Sequence, residues 1–163
     1  MTGRLLVVHH APTATLARLR EALLAGAHDD AITGVEVVDR PALEATADDV
    51  LAADGVLLLT SANFGYMSGA LKHFFDSTFL EVGGALDDSG SAAGGSGGAR
   101  RSLGLCVHGR YDVTGAVRSV LAITGALGWV QAAPVLELLG DVGERELEAA
   151  YELGATLAAL LTD

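Results

Sequence analysis

The chain has 163 residues, half of them apolar, and a formal net charge of −11 at pH 7. This length predicts one domain, 1–163, that buries a full core, and the negative charge gives no electrostatic basis for binding nucleic acid or an anionic membrane surface. Because no apolar run is long enough to span a membrane and a single cysteine cannot form an internal disulfide, we expect a cytoplasmic protein.

Short apolar runs alternate with amphipathic segments through the first half of the chain. Leu5–Val8 is predicted to be a strand, and the leucines within Leu16–Ala25 recur at helical spacing, with Gly26 as the predicted helix end. The next predicted elements are the strand Val35–Val38, the short helix Ala47–Ala53 and the strand Gly55–Thr60.

The second half continues the same alternation. Ser68 suits the N-cap of a helix whose apolar residues include Leu71 and Phe74. The Gly/Ser/Ala-rich stretch over 83–101 has no periodicity, and we expect it to be a flexible surface loop. The remaining predicted elements are the strand Leu103–Val107, a helix capped by Thr114 and stopped by Gly128, a strand within Trp129–Leu138, and a helix after the capping box of Asp141 and Glu144.

Five strands alternating with helices predict an α/β three-layer sandwich around a parallel sheet. The expected strand order is 2-1-3-4-5, which has a topological switch point between strands 1 and 3, where such sheets bind ligands. Three loops leave the carboxyl edge at or beside that point: His9–Thr15, Ser61–Met67 and His108–Asp112. We therefore predict a binding site among these loops.

The first of these loops leads into a helix N-terminus, which offers free N–H groups and a partial positive charge to an anion. Thr13 and Thr15 add hydroxyl groups. Since neither G-x-x-x-x-G-K-[ST] nor G-x-G-x-x-G is present, the loop suits a single phosphate monoester better than a nucleoside triphosphate or dinucleotide. The alternative is that a threonine here only caps the helix.

The second and third loops have the composition expected around a planar heteroaromatic ring. Asn63–Tyr66 combines two aromatic residues with Gly65, whose backbone can approach a ring edge. An ordinary turn with its aromatic residues against the sheet is the alternative. His108 is equally consistent with a structural histidine, and Cys106, within an apolar strand, is expected to be buried and unreactive.

The sequence identifies no catalytic residue. It lacks a G-x-S-x-G motif, and no group of His, Cys, Asp and Glu has the spacing of a metal site. A site without catalytic side chains fits a cofactor that carries its own reactivity.

The segment TSANFGYMSGALKHFFD, at 60–76, resembles the T-P-x-x-x-G-x-M-S-G-x-x-K-x-F-x-D signature of the flavodoxin-like NAD(P)H-dependent FMN reductase and quinone reductase family. VVHHAPTATLARLREALLAGA is similar to the family's first strand, phosphate loop and helix, and CVHGRYDVTGAVRSV to its fourth strand and following loop. The resemblance covers most of the chain and implies a flavodoxin-like fold. The sequence departs from the family pattern at Ser61, where proline is usual, at Leu59, where glycine is common, and at Ala11, where a hydroxyl residue is frequent.

The resemblance also implies a cofactor site for FMN. The residues implied around the FMN phosphate are His9, Pro12, Thr13, Ala14 and Thr15. Those implied along the flavin ring are Ser61, Ala62, Asn63, Phe64, Gly65 and Tyr66, with His108 and Gly109 on its far side.

Three functions follow from this resemblance. The first is an FMN enzyme that takes hydride from NAD(P)H and reduces a quinone-like or other small acceptor, in a family where homodimers are common. The second is a flavodoxin-type electron carrier, for which Phe64 or Tyr66 and Tyr111 are the candidate flanking aromatic residues. The third is a protein of this fold that has lost tight FMN binding, which the residues at 11, 59 and 61 favour.

Overall fold

The computed structural model describes residues 2–83, 89 and 100–162 of the chain. The strands within these residues are β1 (Gly3–His9), β2 (Val35–Pro41), β3 (Gly55–Asn63), β4 (Tyr66–Met67), β5 (Ser102–Gly109), β6 (Val130–Gln131) and β7 (Leu136–Leu139). The helices are α1 (Ala14–Ala27), α2 (Ala47–Leu51), α3 (Gly69–Gly83), α4 (Thr114–Ala126) and α5 (Glu144–Ala159). Most of the predicted loop over 83–101 lies outside the described residues.

The main sheet is parallel, with the strand order β2-β1-β3-β5. The short strands β6 and β7 both pair with the outer edge of β5, one after the other, and together act as one interrupted fifth strand. Pro134 lies in the interruption, where its missing N–H removes a ladder hydrogen bond. The predicted order 2-1-3-4-5 is therefore confirmed.

Helices cover both faces of this sheet, because successive residues of a strand point to opposite faces. Leu5 and Val7 of β1 pack with apolar residues of α1 and α5. Leu6 and Val8 pack on the other face with apolar residues of α2, α3 and α4. Two cores, each between the sheet and one helix layer, make the three-layer sandwich that the sequence predicts.

Helices α1 and α5 cross at two glycines. A Cβ on Gly26 would lie 1.8 Å from the carbonyl oxygen of Tyr151, and one on Gly154 would lie 1.9 Å from that of Leu23. The prediction that Gly26 ends the first helix is wrong, since α1 continues to Ala27. Gly26 instead allows α1 and α5 to approach closely, because it has no side chain.

The helix caps were predicted with mixed success. Ser68 caps α3, because its Oγ accepts the Leu71 N–H at 3.2 Å. Thr114 is not the cap of α4; the N-cap is Val113, and the Thr114 N–H instead donates to Asp112. The predicted capping box at Asp141 and Glu144 is also wrong. The N-cap of α5 is Gly143, and its N–H donates to a Glu146 carboxylate oxygen at 2.9 Å.

Arg101, at the end of the predicted 83–101 loop, is a buried structural residue. Its Nε donates to the carbonyl oxygen of Val50 at 2.8 Å, at the C-terminal end of α2. The last carbonyls of a helix have no partner within the helix, so this guanidinium satisfies groups that burial would otherwise leave unpaired. Burial lowers the pKa of Arg101.

Candidate functional site

The three predicted loops meet at the carboxyl edge of the sheet. His9 ends β1 beside Leu59 of β3, and the next N–H, that of His10, donates to the Leu59 carbonyl at 3.1 Å. Further along β3, Ser61 pairs in register with His108 of β5. The neighbouring order of β1, β3 and β5 thus brings the segments that follow these strands to one edge.

The residues predicted around a phosphate divide into two groups. Thr13 caps α1 by accepting the Leu16 N–H at 3.2 Å, as expected whether or not the loop also binds a phosphate. Ala14 and Thr15 form the first turn of α1, where backbone N–H groups have no intrahelical acceptor. His9 and Pro12 line a cavity of about 270 Å³ between the first loop, α1 and the end of β2.

His9 is buried within a charged cluster that the sequence analysis did not include. Its Nε2 lies 3.1 Å from Oδ1 of Asp39 on β2, but the two are not aligned for a hydrogen bond. Arg20 of α1 donates to both carboxylate oxygens of Asp39. Burial is the main influence on His9 and lowers its pKa, although Asp39 opposes that effect. We therefore assign His9 as neutral at pH 7.

The second predicted loop is mostly a β-hairpin. β3 continues to Asn63, pairs in antiparallel fashion with β4, and leaves a two-residue turn of Phe64 and Gly65. Both turn residues have positive φ, 51° and 78°, as in a type I′ hairpin turn. Glycine adopts this conformation freely, but a bulky residue does so only at a cost, so Phe64 is locally strained. Its side chain is fully exposed.

The hairpin packs closely against the third loop and against the first turn of α4. A Cβ on Gly109 would lie 3.1 Å from Cβ of Ala62. Gly115, in the first turn of α4, lies against the carbonyl of Gly65, where a Cβ would approach to 2.0 Å. The hairpin is therefore seated on the N-terminus of α4.

Ser61 and His108 point toward the same helix layer from adjacent strands. Alternate residues Leu59 and Cys106 lie in the core under α1 and α5, so Ser61 and His108, two residues further on, face that side as well. The Ser61 hydroxyl oxygen is buried without a hydrogen-bond partner. A ring nitrogen of His108, Nε2, lies 2.7 Å from the carbonyl oxygen of Gly140, which assigns a proton to that nitrogen.

Two departures from the family signature do not obstruct the edge of the sheet. Leu59 is completely buried in the core beneath α1 and α5, so its side chain does not reach the space between the loops. Ala11 packs against the same core. Crowding by the leucine is therefore absent, whereas the hydroxyl group missing at position 11 remains missing.

The exposed aromatic side chains of the site lie on two different segments. Phe64 and Tyr111 are almost completely exposed, and Tyr66 is partly exposed. Tyr66 lines an apolar cavity of about 430 Å³ between α3 and α4, together with Lys72 and Phe75. Its side chain thus leaves the sheet edge toward the helix layer, although its backbone belongs to the hairpin.

Two features of the site are complementary to FMN: hydrogen-bonding groups without a partner, and open space beside the hairpin. The first turn of α1 offers N–H donors to a phosphate, and the Ser61 hydroxyl is a buried polar group that needs a partner. Gly65 leaves the tip of the hairpin open beside the exposed aromatic side chains. The residues present therefore fit a phosphate at one end of the site and a flat ring at the other.

Sequence reasoning missed Arg20, Asp39 and Gly115 in the surroundings of the site. Arg20 and Asp39 meet only because β2 lies beside β1 and α1 crosses above them. Gly115 resembles any other helical glycine in the sequence. An arginine in the helix that follows the predicted phosphate loop was the available signal, and it is weak by itself.

Within the described residues, no helix has the length and hydropathy to cross a membrane. No group of three or more potential ligands among His, Cys, Asp and Glu is arranged to hold a metal there. Cys106 is buried as predicted, and burial raises the pKa of its thiol to about 12.

No protein-family model matches the chain. Over 100 residues the chain is 33% identical to a flavodoxin of Aquifex aeolicus (strain VF5), a match covering 59% of this chain and 53% of that protein. The chain thus spans about half the length of the curated relative that it matches.

Solved structures resemble the chain over nearly its whole length. A flavodoxin from the domain Archaea superposes with a TM-score of 0.75 at 16% identity, covering 97% of this chain and 98% of that one. A WrbA-like flavodoxin from Agrobacterium tumefaciens gives a TM-score of 0.69 at 16% identity, covering 99% and 98%. The chain therefore has the flavodoxin-like fold that the sequence predicts.

Proposed function

We propose that this flavodoxin-like chain is an FMN-binding oxidoreductase that takes reducing equivalents from NAD(P)H and passes them to a quinone-like or other small acceptor. The observation that carries the proposal is the meeting of the α1 N-terminus, Ser61 and the hairpin at one edge of the sheet. The similarity to a flavodoxin supports the cofactor, and the signature at 60–76 supports the reductase activity.

In this proposal the phosphate of FMN binds at the first turn of α1. The N–H groups of Ala14 and Thr15 donate to it, and the partial positive charge of the helix end offsets its negative charge. Thr13 already uses its hydroxyl oxygen to cap the helix, so it acts by holding the loop in place. This division of roles assigns the phosphate mainly to backbone groups.

Residues at the ends of β3 and β5 would hold the flavin ring. Ser61 would offer it a buried hydroxyl that has no other partner, and Phe64 would offer an exposed aromatic face for packing. His108 keeps its Nε2 proton on the Gly140 carbonyl and so supports the edge of the site rather than exchanging that proton. Backbone groups of the hairpin would hydrogen-bond to the edge of the flavin ring.

When bound, the flavin supplies the redox chemistry itself, as hydride acceptor and electron donor. The residues of this chain orient the ring, contribute hydrogen bonds to its edge and exclude water from its inner face. No side chain is assigned as the catalytic acid or base.

A flavodoxin-type electron carrier is the second candidate. Exposed Phe64 and Tyr111 come from two separate segments, which is the arrangement expected of aromatic side chains that flank a flavin. The net charge of −11 would favour docking to a basic redox protein. This candidate has the same cofactor site and differs from the enzyme only in its electron donor and electron acceptor.

The test begins with purified protein titrated with FMN, followed by NADH or NADPH oxidation with a soluble quinone present. FMN uptake with quinone-dependent turnover supports the enzyme. Uptake without turnover, but with electron transfer to a redox protein, supports the carrier. Protein that takes up no FMN contradicts both.

A matched pair of serine variants links the activity to the site. Ser61→Ala removes the unpartnered hydroxyl and should weaken FMN binding by about threefold to tenfold. Ser77→Ala is the control, because Ser77 lies on α3 with its hydroxyl donating to the Phe74 carbonyl. Equal FMN affinity in the two variants would contradict the assigned role of Ser61.

A further inference from the structure

The cavity between the first loop, α1 and β2 is distinct in its charge. Its titratable lining side chains are His9, His10 and Arg20, all of them basic. The whole chain, in contrast, has 21 acidic residues and only 10 lysines and arginines. Glu44 and Asp39 are near His9 but are not among the residues that line the cavity. With His9 neutral, Arg20 supplies the positive charge of the cavity wall, and none of the lining residues is acidic, which favours an anionic ligand.

Asp39 holds Arg20 in an orientation that leaves part of its guanidinium free. The Nε and one Nη2 hydrogen of Arg20 donate to Asp39. A guanidinium has five N–H groups in one plane, so three remain, including both on Nη1. Because Arg20 also lines the cavity, a ligand bound there can accept hydrogen bonds from these remaining donors. Arginine edges of this kind bind phosphate through paired hydrogen bonds.

The other walls make the cavity a built site rather than a gap between side chains. His9 is more than nine-tenths buried, and neither of its ring nitrogens has a hydrogen-bond partner. Ala17 leaves space on the α1 side, and Pro12 and Pro41 form rigid apolar walls. His10 adds a second ring nitrogen donor or acceptor. The volume of about 270 Å³ accommodates a phosphate with part of an attached organic group.

We propose that this cavity binds the phosphate group of a second small molecule, separate from the FMN phosphate at the first turn of α1. Arg20 is the principal ligand, His10 the second, and Asp39 is a positioning residue that orients Arg20. That this molecule binds in addition to FMN rests on the proposed function, whereas phosphate binding to the cavity does not. A phosphate-bearing reductant such as NADPH and free phosphate share this chemistry.

The experiment is calorimetric titration with inorganic phosphate and with adenosine 2′-monophosphate, using protein with and without added FMN. Arg20→Gln should weaken binding of both probes by about tenfold to a hundredfold. Arg18→Gln is the matched control. It removes the same charge from the same helix, but Arg18 donates to the Val142 carbonyl and does not line the cavity.

A further variant protects the test against loss of the Arg20–Asp39 pair. Ala17→Leu reduces the cavity while keeping both Arg20 and Asp39, and it should weaken both probes to a similar degree. Unchanged probe affinity in Arg20→Gln and Ala17→Leu would overturn the proposal. So would competition between the probes and FMN with equal loss of FMN affinity in Arg20→Gln, since the cavity would then hold the flavin's own phosphate.

Enzyme assays distinguish the two candidate ligands, NADPH and free phosphate. If Arg20→Gln lowers kcat/KM for NADPH at least tenfold but leaves that for NADH unchanged, the ligand is the reductant. If the two reductants respond alike while inorganic phosphate binding is lost, the ligand is free phosphate. Failure to take up FMN would contradict the proposed function, yet phosphate binding would still be measurable.

Discussion

Gly115 lies directly against the carbonyl oxygen of Gly65, so that the hairpin beside the candidate ring site is seated on the first turn of α4. The contact joins two segments that are fifty residues apart and that both border the proposed flavin ring. Any side chain at position 115 would have to move the hairpin. The conformation of the ring site therefore depends on a residue that need not touch the ring.

Gly115→Ala should displace the hairpin and lower the free energy of unfolding by about 1–3 kcal/mol, as expected for overpacking. FMN affinity should fall with it. The control is Gly125→Ala in the same helix, where a Cβ meets nothing within 4 Å. That change should raise the free energy of unfolding by about 0.5–1 kcal/mol, because alanine favours the helix. Urea denaturation and FMN titration of both variants check this, and matching results would contradict it.

The contact between α1 and α5 gives a prediction about stability alone. Gly154→Ala would force its Cβ against the Leu23 carbonyl and separate the two helices. We expect a loss of about 2–4 kcal/mol in the free energy of unfolding, with part of the apolar surface between the helices exposed. Thermal or urea unfolding measures it. Ala155→Gly is a useful comparison, since helix propensity alone would cost about 1 kcal/mol there.

The sequence predicted the fold because its buried strands are short, uninterrupted apolar runs, such as Leu57–Leu59, that alternate with amphipathic helices. It misplaced features that depend on contacts between distant segments. Glycine is the residue type expected at a helix end, but Gly26 lies within α1, where its lack of a side chain allows α5 to pack closely. The hairpin was predicted as a loop because Phe64 is an unusual residue for the first position of a type I′ turn.

The candidate site was predictable to the extent that it follows from strand order. Once β1, β3 and β5 are neighbours, the segments after them must meet. The Arg20–Asp39 pair was not predictable, because it needs the actual position of α1 over β2. Nor did the sequence indicate that Tyr66 faces the cavity between α3 and α4.

Protonation of His9 should make the protein less stable in mild acid. Burial, the main influence, lowers its pKa in the folded state below the value of 6.5 for an ordinary histidine. The unfolded chain therefore binds the proton first as the pH falls. His9 contributes its full stability above pH 6.5 and loses it as the pH falls through the lower folded pKa.

The measurement is the free energy of unfolding between pH 7 and 5. His9→Asn should show a shallower decline than the original protein across this window. Equal slopes for the original protein and His9→Asn would contradict the buried, neutral assignment.

Cys106 should be inert in the folded protein. Its thiol is completely buried and its pKa is raised to about 12, so the reactive thiolate is scarcely populated at neutral pH. A thiol reagent such as dithionitrobenzoate should give no signal with native protein at pH 8 and one thiol equivalent in denaturant. Rapid labelling of the native state would show that β5 opens or that the side chain is accessible.

A substitution at the strained, exposed Phe64 distinguishes a structural role of the hairpin from a functional one. Asparagine tolerates positive φ, so Phe64→Asn should relieve strain and raise the free energy of unfolding by about 0.5–1 kcal/mol. An exposed phenylalanine contributes no core packing that would offset this gain. If Phe64 packs against the flavin, the same variant should bind FMN about tenfold more weakly. Greater stability with weaker FMN binding is the expected pair of results, whereas greater stability with unchanged FMN affinity would remove Phe64 from the site.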